Sequence, residues 1–157
     1  MKKLFLFALL ITISSTINAQ YGVENIFRKY RNDENVVNWQ FSGDLSKFFS
    51  RDDGEALKST LENLDFYMFS DGDISAKDAT KLSNAISDDQ FELLINARDK
   101  DKKINLYGIE TDGIISKVYA KINAQEMKMY FFLRGNIYIE DLNNIEMTDF
   151  IENVIPD

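Results

Sequence analysis

The chain has 157 residues, with 26 acidic and 18 basic side chains, no His and no Cys. Without His and Cys it can build no Ser-His-Asp or Cys-His relay, no imidazole base and no ordinary zinc site. It can form no disulfide, so the core alone has to stabilise the fold. The remaining residue types would allow a carboxylate-pair hydrolase or an all-oxygen metal site.

The first nineteen residues have the composition of a secretory signal peptide. Two lysines precede an apolar run of ten residues, Leu4–Ile13, which is shorter than the roughly 20 residues that span a bilayer. Ile17 and Ala19 suit positions −3 and −1 of a cleavage site, so we expect cleavage between Ala19 and Gln20. The alternative is an uncleaved membrane anchor. We expect an exported protein, periplasmic or secreted, with no stable membrane anchor after cleavage.

Residues 20–157 are then predicted to form one domain. This part keeps sixteen basic and all twenty-six acidic residues, which gives a formal charge of −10. Nucleic acids and anionic lipid surfaces attract clustered basic residues, so we expect neither as a partner. The single proline and the many aromatic residues are typical of a compact domain.

The first half of this domain alternates predicted helices and strands. Apolar residues at helical spacing predict helices, and alternating apolar residues predict strands. Val37, Trp39 and Phe41 would share one face of the first strand. In order, we predict a helix over Tyr21–Arg31, a strand over Val36–Ser42, a helix over Gly54–Asn63, a strand over Leu64–Ser70, a helix capped by Ser75, and a short helix carrying Phe91, Leu94 and Ala97.

The last third predicts a β-meander that follows a charged loop, Arg98–Lys103. A three-residue loop with a left-handed Gly113 would pair Glu110 with Ile114. This register gives two chemically sorted faces. We predict strands over Lys103–Glu110, Ile114–Ile122 and Lys128–Arg134, one face holding Ile104, Leu106, Val118 and Ala120, the other holding Asn105, Tyr107, Lys117 and Tyr119, with Gly135 ending the third strand and a helix over Tyr138–Val154.

These elements predict an α+β fold with a single, mostly antiparallel sheet. About five strands would form the sheet, which ends in the β-meander. Helices would cover one of its faces.

Three segments resemble a known family. They are IFRKY followed after five residues by VVNWQFSGDL, then FELLINARDKDKKINLYGIETDGIISKVYAKI, and the late stretch MYFFLRGNIYIEDLNNI. They are similar to domain-of-unknown-function family 4252 from Bacteroidetes. The resemblance implies a small exported envelope protein and assigns neither a reaction nor catalytic residues. Some relatives look like lipoproteins, but this chain lacks the Cys that would carry the lipid.

The run Asp71–Asp78 has the look of a calcium loop. An EF-hand loop needs Gly at its sixth position and Glu at its twelfth, where this chain has Ala76 and Leu82. We therefore interpret the run as a turn with Ser75 as the helix N-cap, and we predict no metal and no cofactor.

Acidic residues also recur along the predicted last helix. A carboxylate-pair hydrolase needs two such groups roughly 5–9 Å apart across a cleft, and no spacing in the sequence indicates one. We predict no catalytic residue here and interpret these acids as a solvated helix face. They are Glu140, Asp141, Glu146, Asp149 and Glu152.

The outer face of the meander is the candidate partner-binding face. It gathers basic and aromatic side chains on an otherwise acidic protein, a mixture that suits an envelope protein or an acidic or sugar-like ligand. The alternative is an ordinary water-facing sheet, and a helix packed over this face would remove the hypothesis. Its residues are Tyr107, Lys117, Tyr119, Lys121, Lys128, Tyr130, Phe132 and Arg134.

The sequence favours a non-catalytic binding or regulatory module of the envelope. Two alternatives stay open. One is a periplasmic hydrolase that uses carboxylates. The other is a structural or stress-related protein that self-associates through the sheet edges.

Overall fold

The structure is a computed structural model that describes residues 22–44, 59–70, 72–99 and 101–142. Several predictions lie outside these residues: the signal peptide over 1–19, the cleavage site at Ala19 and Gln20, the first part of the helix over Gly54–Asn63, Asp71, and the last helix beyond Leu142.

The described elements are three α-helices, one 3-10 turn and six strands. A short helix continues directly into a 3-10 turn, which agrees with the helix predicted before Arg31. In order, the elements are α1 (Val23–Phe27), the 3-10 turn (Arg28–Asn32), β1 (Val36–Ser42), β2 (Thr60–Phe69), α2 (Ala76–Asp88), β3 (Glu92–Asp99), β4 (Lys102–Thr111), β5 (Ile114–Ala124), β6 (Met127–Tyr138) and α3 (Ile139–Leu142).

The strands form one antiparallel sheet in the order β1-β2-β6-β5-β4-β3. Strands β4, β5 and β6 are the predicted meander, and β3 extends it by one strand through its pairing with β4. The β1–β2 pair joins the sheet where β2 pairs with β6. The α+β class is confirmed, with six strands rather than about five. The strand that was not predicted is β3, which with the β1 strand forms the two edges of the described sheet.

The described end of the helix predicted over Gly54–Asn63 and the predicted short helix that carries Phe91, Leu94 and Ala97 lie in strands, where β-bulges disturb the alternation of apolar residues. In β2, a register shift between Leu61 and Asn63 leaves Leu61 and Leu64 both buried, three residues apart. In β3, a shift between Leu93 and Ile95 places Leu94 and Ile95 both against the core. Apolar residues three apart indicate a helix in a sequence, and bulged strands produce the same spacing.

The predicted charged loop over Arg98–Lys103 instead contains the end of β3 and the start of β4. Arg98 pairs with Lys103, and Asp99 pairs with Lys102.

The hairpin between β4 and β5 has a shorter loop than predicted. Thr111 pairs with Ile114, and both Asp112 and Gly113 have positive φ, 54° and 81°, as a two-residue turn of type I′ requires. The predicted pairing of Glu110 with Ile114 is therefore wrong. A bulge at Ser116 moves the register again and sets Leu106 opposite Ala120. The net offset from the predicted register is two residues, so both predicted face sets are correct.

Strand β6 runs past Gly135, which was predicted to end it. At this position the backbone of β2 lies so close that an added Cβ would fall 2.0 Å from the carbonyl oxygen of Thr60. Gly135 therefore marks a close approach of two strands at the β2 bulge and not a strand end.

The sheet is buried on both faces. We call the side that includes Phe66, Leu106, Val118 and Phe131 the core face, and the side that includes Tyr67, Tyr119, Tyr130 and Phe132 the helix face. Helices α1 and α2 pack on the helix face, where the ring centroid of Phe27 lies 4.8 Å from those of Tyr130 and Phe132. No helix within the described ranges is both long and apolar enough to cross a membrane.

Candidate functional site

The aromatic half of the predicted partner-binding face is buried. Tyr119, Tyr130 and Phe132 expose only 1%, 0% and 5% of their surface. Tyr107 is half-buried, with its ring stacked 5.7 Å from that of Tyr119. The expectation that these rings face solvent is wrong, because α1 and α2 pack on them. Both sides of these strands carry large apolar residues, so the sequence pattern did not show which side the helices would take.

Three of the four basic residues of that face form ion pairs within the protein. The ammonium groups of Lys121 and Lys128 lie 3.5 and 3.4 Å from the Asp73 carboxylate, and the Arg134 guanidinium lies 3.2 Å from Glu24. These pairs attach the segment before α2, and α1 itself, to the sheet. A role of these residues in partner binding stays a prediction. The fourth residue, Lys117, lines a surface pocket.

The two buried tyrosines of this face have raised pKa values. Burial raises the pKa of the Tyr119 phenol, and the neighbouring Tyr107 and Asp73 raise it further. Burial also raises the pKa of Tyr130, and the hydrogen bond that its hydroxyl donates to Asp73 adds to the effect. Both phenols are therefore neutral near neutral pH.

Asp73 is held as a carboxylate by the groups around it. Burial alone would raise its pKa, but the Tyr130 hydroxyl, the Ile74 N–H and the two lysines outweigh burial and leave the pKa below its ordinary value. A charged acid with these fixed donors fastens the turn before α2 to the sheet.

Asp78 is the centre of the most connected polar cluster described. The hydroxyls of Tyr30 and Ser75 donate to its Oδ2 atom at 2.8 and 2.5 Å, and the Lys29 ammonium pairs with the same oxygen. Burial would raise the pKa of Asp78, but these donors hold it at about 2. The backbone N–H of Asp78 donates to Ser75 Oγ, so the predicted N-cap is confirmed. Tyr30 lies 48 residues from Asp78 in the sequence. The sequence near Ser75 therefore gave no indication that Tyr30 and Lys29 contact Asp78.

The prediction for Asp141 is also wrong. This residue was predicted on a solvated helix face, but it is buried and accepts hydrogen bonds from the backbone N–H and the hydroxyl of Ser59, at 2.8 and 2.6 Å. Ser59 Oγ in turn accepts from the backbone N–H of Tyr138. The carboxylate thus joins α3 to the start of β2.

Three carboxylates make structural contacts, two of them buried (Asp78 and Asp141) and one exposed (Asp73). Each accepts hydrogen bonds from hydroxyl or N–H donors. Among the residues that the structure describes, no group of three acidic side chains is placed to hold a metal ion.

The most unusual surface is the exposed side of β1, which we call the β1 strip and define as Val37, Trp39 and Phe41. These side chains expose 38%, 45% and 43% of their surface and lie in one row on the core face, opposite Met68, Phe66 and Leu64 of β2. The Trp39 ring lies 5.5 Å from that of Phe66, and it is the only tryptophan of the chain. The sequence predicted both the strand and the shared face, but not that the strand lies at the sheet edge.

The β1 strand itself has none of the residues that usually protect an edge strand. It contains no charged residue and no proline, whereas the opposite edge, β3, includes Glu92, Arg98 and Asp99. On the other side of β1, Asn38 and Gln40 donate to the Phe66 carbonyl and to Asp65, both in β2. One edge of β1 is therefore fixed to β2. Along its other edge, no neighbouring strand lies within the described sheet.

Comparison with known proteins gives one match. The model of a family described as Domain of unknown function (DUF4252) matches residues 30–145, which extend from the 3-10 turn through all six strands. Searches of the curated proteins and of the solved structures found no match. The family match covers most of the chain and confirms the resemblance seen in its sequence segments. The chain is a member of the DUF4252 family.

Proposed function

We propose that this protein is a non-catalytic, exported binding module of the cell envelope, and that it binds a partner protein at the β1 edge. The observation that carries the proposal is the β1 strip, where three large apolar side chains lie half-exposed on an uncharged edge strand. Exposed apolar rows of this kind are typical of interaction sites.

An edge strand supports one mode of recognition especially well. An extended segment of the partner adds to the sheet and takes up the free backbone groups of β1, which supplies affinity, while its alternate side chains contact the β1 strip, which supplies specificity. Trp39, at the centre of the row, is the residue type most enriched in binding hot spots.

The charges around β1 indicate the chemistry of the partner. Asp33 and Glu34 precede the strand and Asp44 follows it, all exposed, in a chain whose predicted mature part carries a charge of −10. A partner segment with an apolar centre and basic flanks would complement this arrangement.

Export rests on the predicted signal peptide. Two lysines, the apolar run Leu4–Ile13 and the Ala19–Gln20 site support passage through the membrane and release of the mature domain on the far side.

Self-association is the second candidate, because β1 is complementary to itself. Two copies paired antiparallel about Trp39 would place Val37 of each strand opposite Phe41 of the other and would set the two tryptophans face to face. The same edge would then form a dimer of this protein instead of binding a different protein.

The test uses the domain of residues 20–157 as bait in an envelope extract of the cells that produce it. A variant with Val37→Thr, Trp39→Thr and Phe41→Thr keeps strand propensity and removes the apolar surface. The control is Leu93→Thr, which removes an exposed apolar residue from the other edge. We expect the unchanged domain and the control to capture the same partner, and the triple variant to bind it at least about 100-fold more weakly.

Two outcomes would decide differently. If the triple variant is folded by circular dichroism and still captures the partner, the β1 edge is not the binding surface. If light scattering shows a dimer that the triple variant loses, the second candidate is correct and the edge serves self-association.

A further inference from the structure

A second candidate site lies away from the β1 strip, between α1 and strands β4, β5 and β6 of the sheet. It is a surface pocket of about 290 Å³. Val23, Glu24 and Asn25 of α1 form one wall, Asp89 and Phe91 beyond α2 form another, and Ile109, Lys117 and Phe132 of the sheet form the base. We propose that this pocket binds a small zwitterion with an apolar side chain, of the size and chemistry of a free amino acid.

The base of the pocket is apolar and firm. Phe132 is buried in the sheet, and Phe91 packs against the same cluster of aromatic side chains. Ile109 stands beside Lys117 as its cross-strand partner. A ligand side chain placed on these groups would leave water for a surface of aromatic and aliphatic carbon, which favours binding.

The pocket carries one free charge of each sign. Within the described residues, neither Asp89 nor Lys117 forms an ion pair, while the third charged lining residue, Glu24, is neutralised by Arg134 at 3.2 Å. Asp89 is half-buried, and its Oδ2 atom lies 3.6 Å from the point where a Cβ on Gly22 would stand. The carboxylate therefore lies beside Gly22, the N-cap residue that precedes the α1 wall.

These features together select the ligand class. The ammonium of an amino acid matches Asp89, its carboxylate matches Lys117, and its side chain matches the apolar base. Small-molecule sites usually measure about 300–1,000 Å³. At about 290 Å³ the pocket lies just below that range, so a single amino acid fits its size and an oligosaccharide does not.

The first measurement is an NMR titration of the domain of residues 20–157 with three probes. L-Phenylalanine carries both charges, phenethylamine lacks the carboxylate, and 3-phenylpropanoate lacks the ammonium. We expect phenylalanine to shift the amides of α1, β4 and β5 and to bind at least tenfold more tightly than either single-charge probe. Equal affinities for the three probes would overturn the proposal. So would the absence of any shift at 10 mM phenylalanine, which is roughly tenfold above the largest dissociation constant expected for such a ligand.

The second measurement assigns each charge to its residue. Lys117→Met should weaken phenylalanine binding at least tenfold and leave phenethylamine binding unchanged, since that probe has no carboxylate. Asp89→Asn should weaken phenylalanine binding equally and leave 3-phenylpropanoate binding unchanged. Lys103→Met is the control, because Lys103 is exposed on the same sheet and does not line the pocket.

A loss of phenylalanine binding in the Lys103→Met control would contradict the assignment. So would a Lys117→Met variant that also weakens phenethylamine binding, or an Asp89→Asn variant that also weakens 3-phenylpropanoate binding. Each variant is first checked for an unchanged melting temperature. The β1 strip triple variant should bind phenylalanine normally, so failure of the pocket proposal is distinguishable from failure of the proposed function.

Discussion

Single side chains in this protein explain how its helices are attached to its sheet. Tyr30, Lys29 and Ser75 all converge on the carboxylate of Asp78, which holds the 3-10 turn against the start of α2. Arg134 pairs with Glu24 of α1, and Lys121 and Lys128 pair with Asp73. Three basic side chains of the predicted partner-binding face thus attach the helix layer to the sheet.

Asp78 makes the free energy of unfolding depend on pH. Its pKa is about 2 in the folded state, below the ordinary value of about 3.8. The carboxylate therefore stabilises the fold fully above pH 4, and this contribution is lost as the pH falls from 4 towards 2. We expect Asp78→Asn to lower the free energy of unfolding at pH 7 by about 2 kcal/mol, measured by urea denaturation.

The same variant should also show a weaker loss of stability between pH 4 and pH 2. Asp88→Asn is the matched control, since Asp88 is an exposed carboxylate of the same helix, and its substitution should change the free energy of unfolding by less than about 0.5 kcal/mol. Equal effects of the two substitutions would show that the Asp78 cluster does not stabilise the fold.

At the scale of elements, the strand segments that were predicted as helices both lie at β-bulges. β1 was predicted with its observed bounds, and the helix after Ser75 and the meander strands were predicted because their apolar periods are regular. β3 was predicted as a helix because Phe91, Leu94 and Ala97 stand three apart, and the bulge between Leu93 and Ile95 breaks the strand alternation there. The end of the helix predicted over Gly54–Asn63 is the start of β2, where a second bulge lies between Leu61 and Asn63. Two-residue alternation holds only where the ladder is unbroken, so these errors follow from the physical cause of the signal.

Glycine positions in β4 and β6 give a test of strand packing. A Cβ added at Gly135 would meet the Thr60 carbonyl at 2.0 Å and the Leu61 Cα at 3.0 Å, both backbone atoms. A Cβ added at Gly108 would meet the side chains of Leu94 and Ile115, at 2.6 and 3.0 Å. Side chains can rotate away, whereas paired backbone cannot.

We therefore expect Gly135→Ala to destabilise the fold by about 3 kcal/mol or more, and Gly108→Ala to destabilise it by clearly less, as measured by urea denaturation. A Gly135→Ala protein as stable as the unchanged protein would mean that β2 and β6 are not so closely apposed at the bulge.

At the scale of the whole molecule, the sheet has apolar residues on both faces, and this limited the prediction of the site. The basic-aromatic face was correctly assembled from strand alternation, as Tyr107, Lys117, Tyr119 and Lys121 do share one side. Its exposure was not predictable, because the pattern of a strand does not indicate which face the helices cover. The exposed apolar row of β1 became recognisable only from its place at the sheet edge.

The predicted export signal can be tested on the whole chain. We expect the protein recovered outside the cytoplasm to begin at Gln20, because Ile17 and Ala19 suit the signal peptidase. Ala19→Arg should block cleavage and leave the longer chain associated with membranes. Intact-mass spectrometry checks both outcomes. A recovered protein that still begins at Met1 would contradict the assignment of residues 1–19 as a cleaved signal peptide.

Binding at the β1 edge is tested most directly by amide hydrogen exchange of the mature domain, alone and with its captured partner. An added strand hydrogen-bonds the outer backbone groups of β1, so exchange within Val36–Ser42 should slow at least about tenfold on binding, with β3 unchanged. Slowed exchange in β3 or α2, with β1 unaffected, would contradict the proposal.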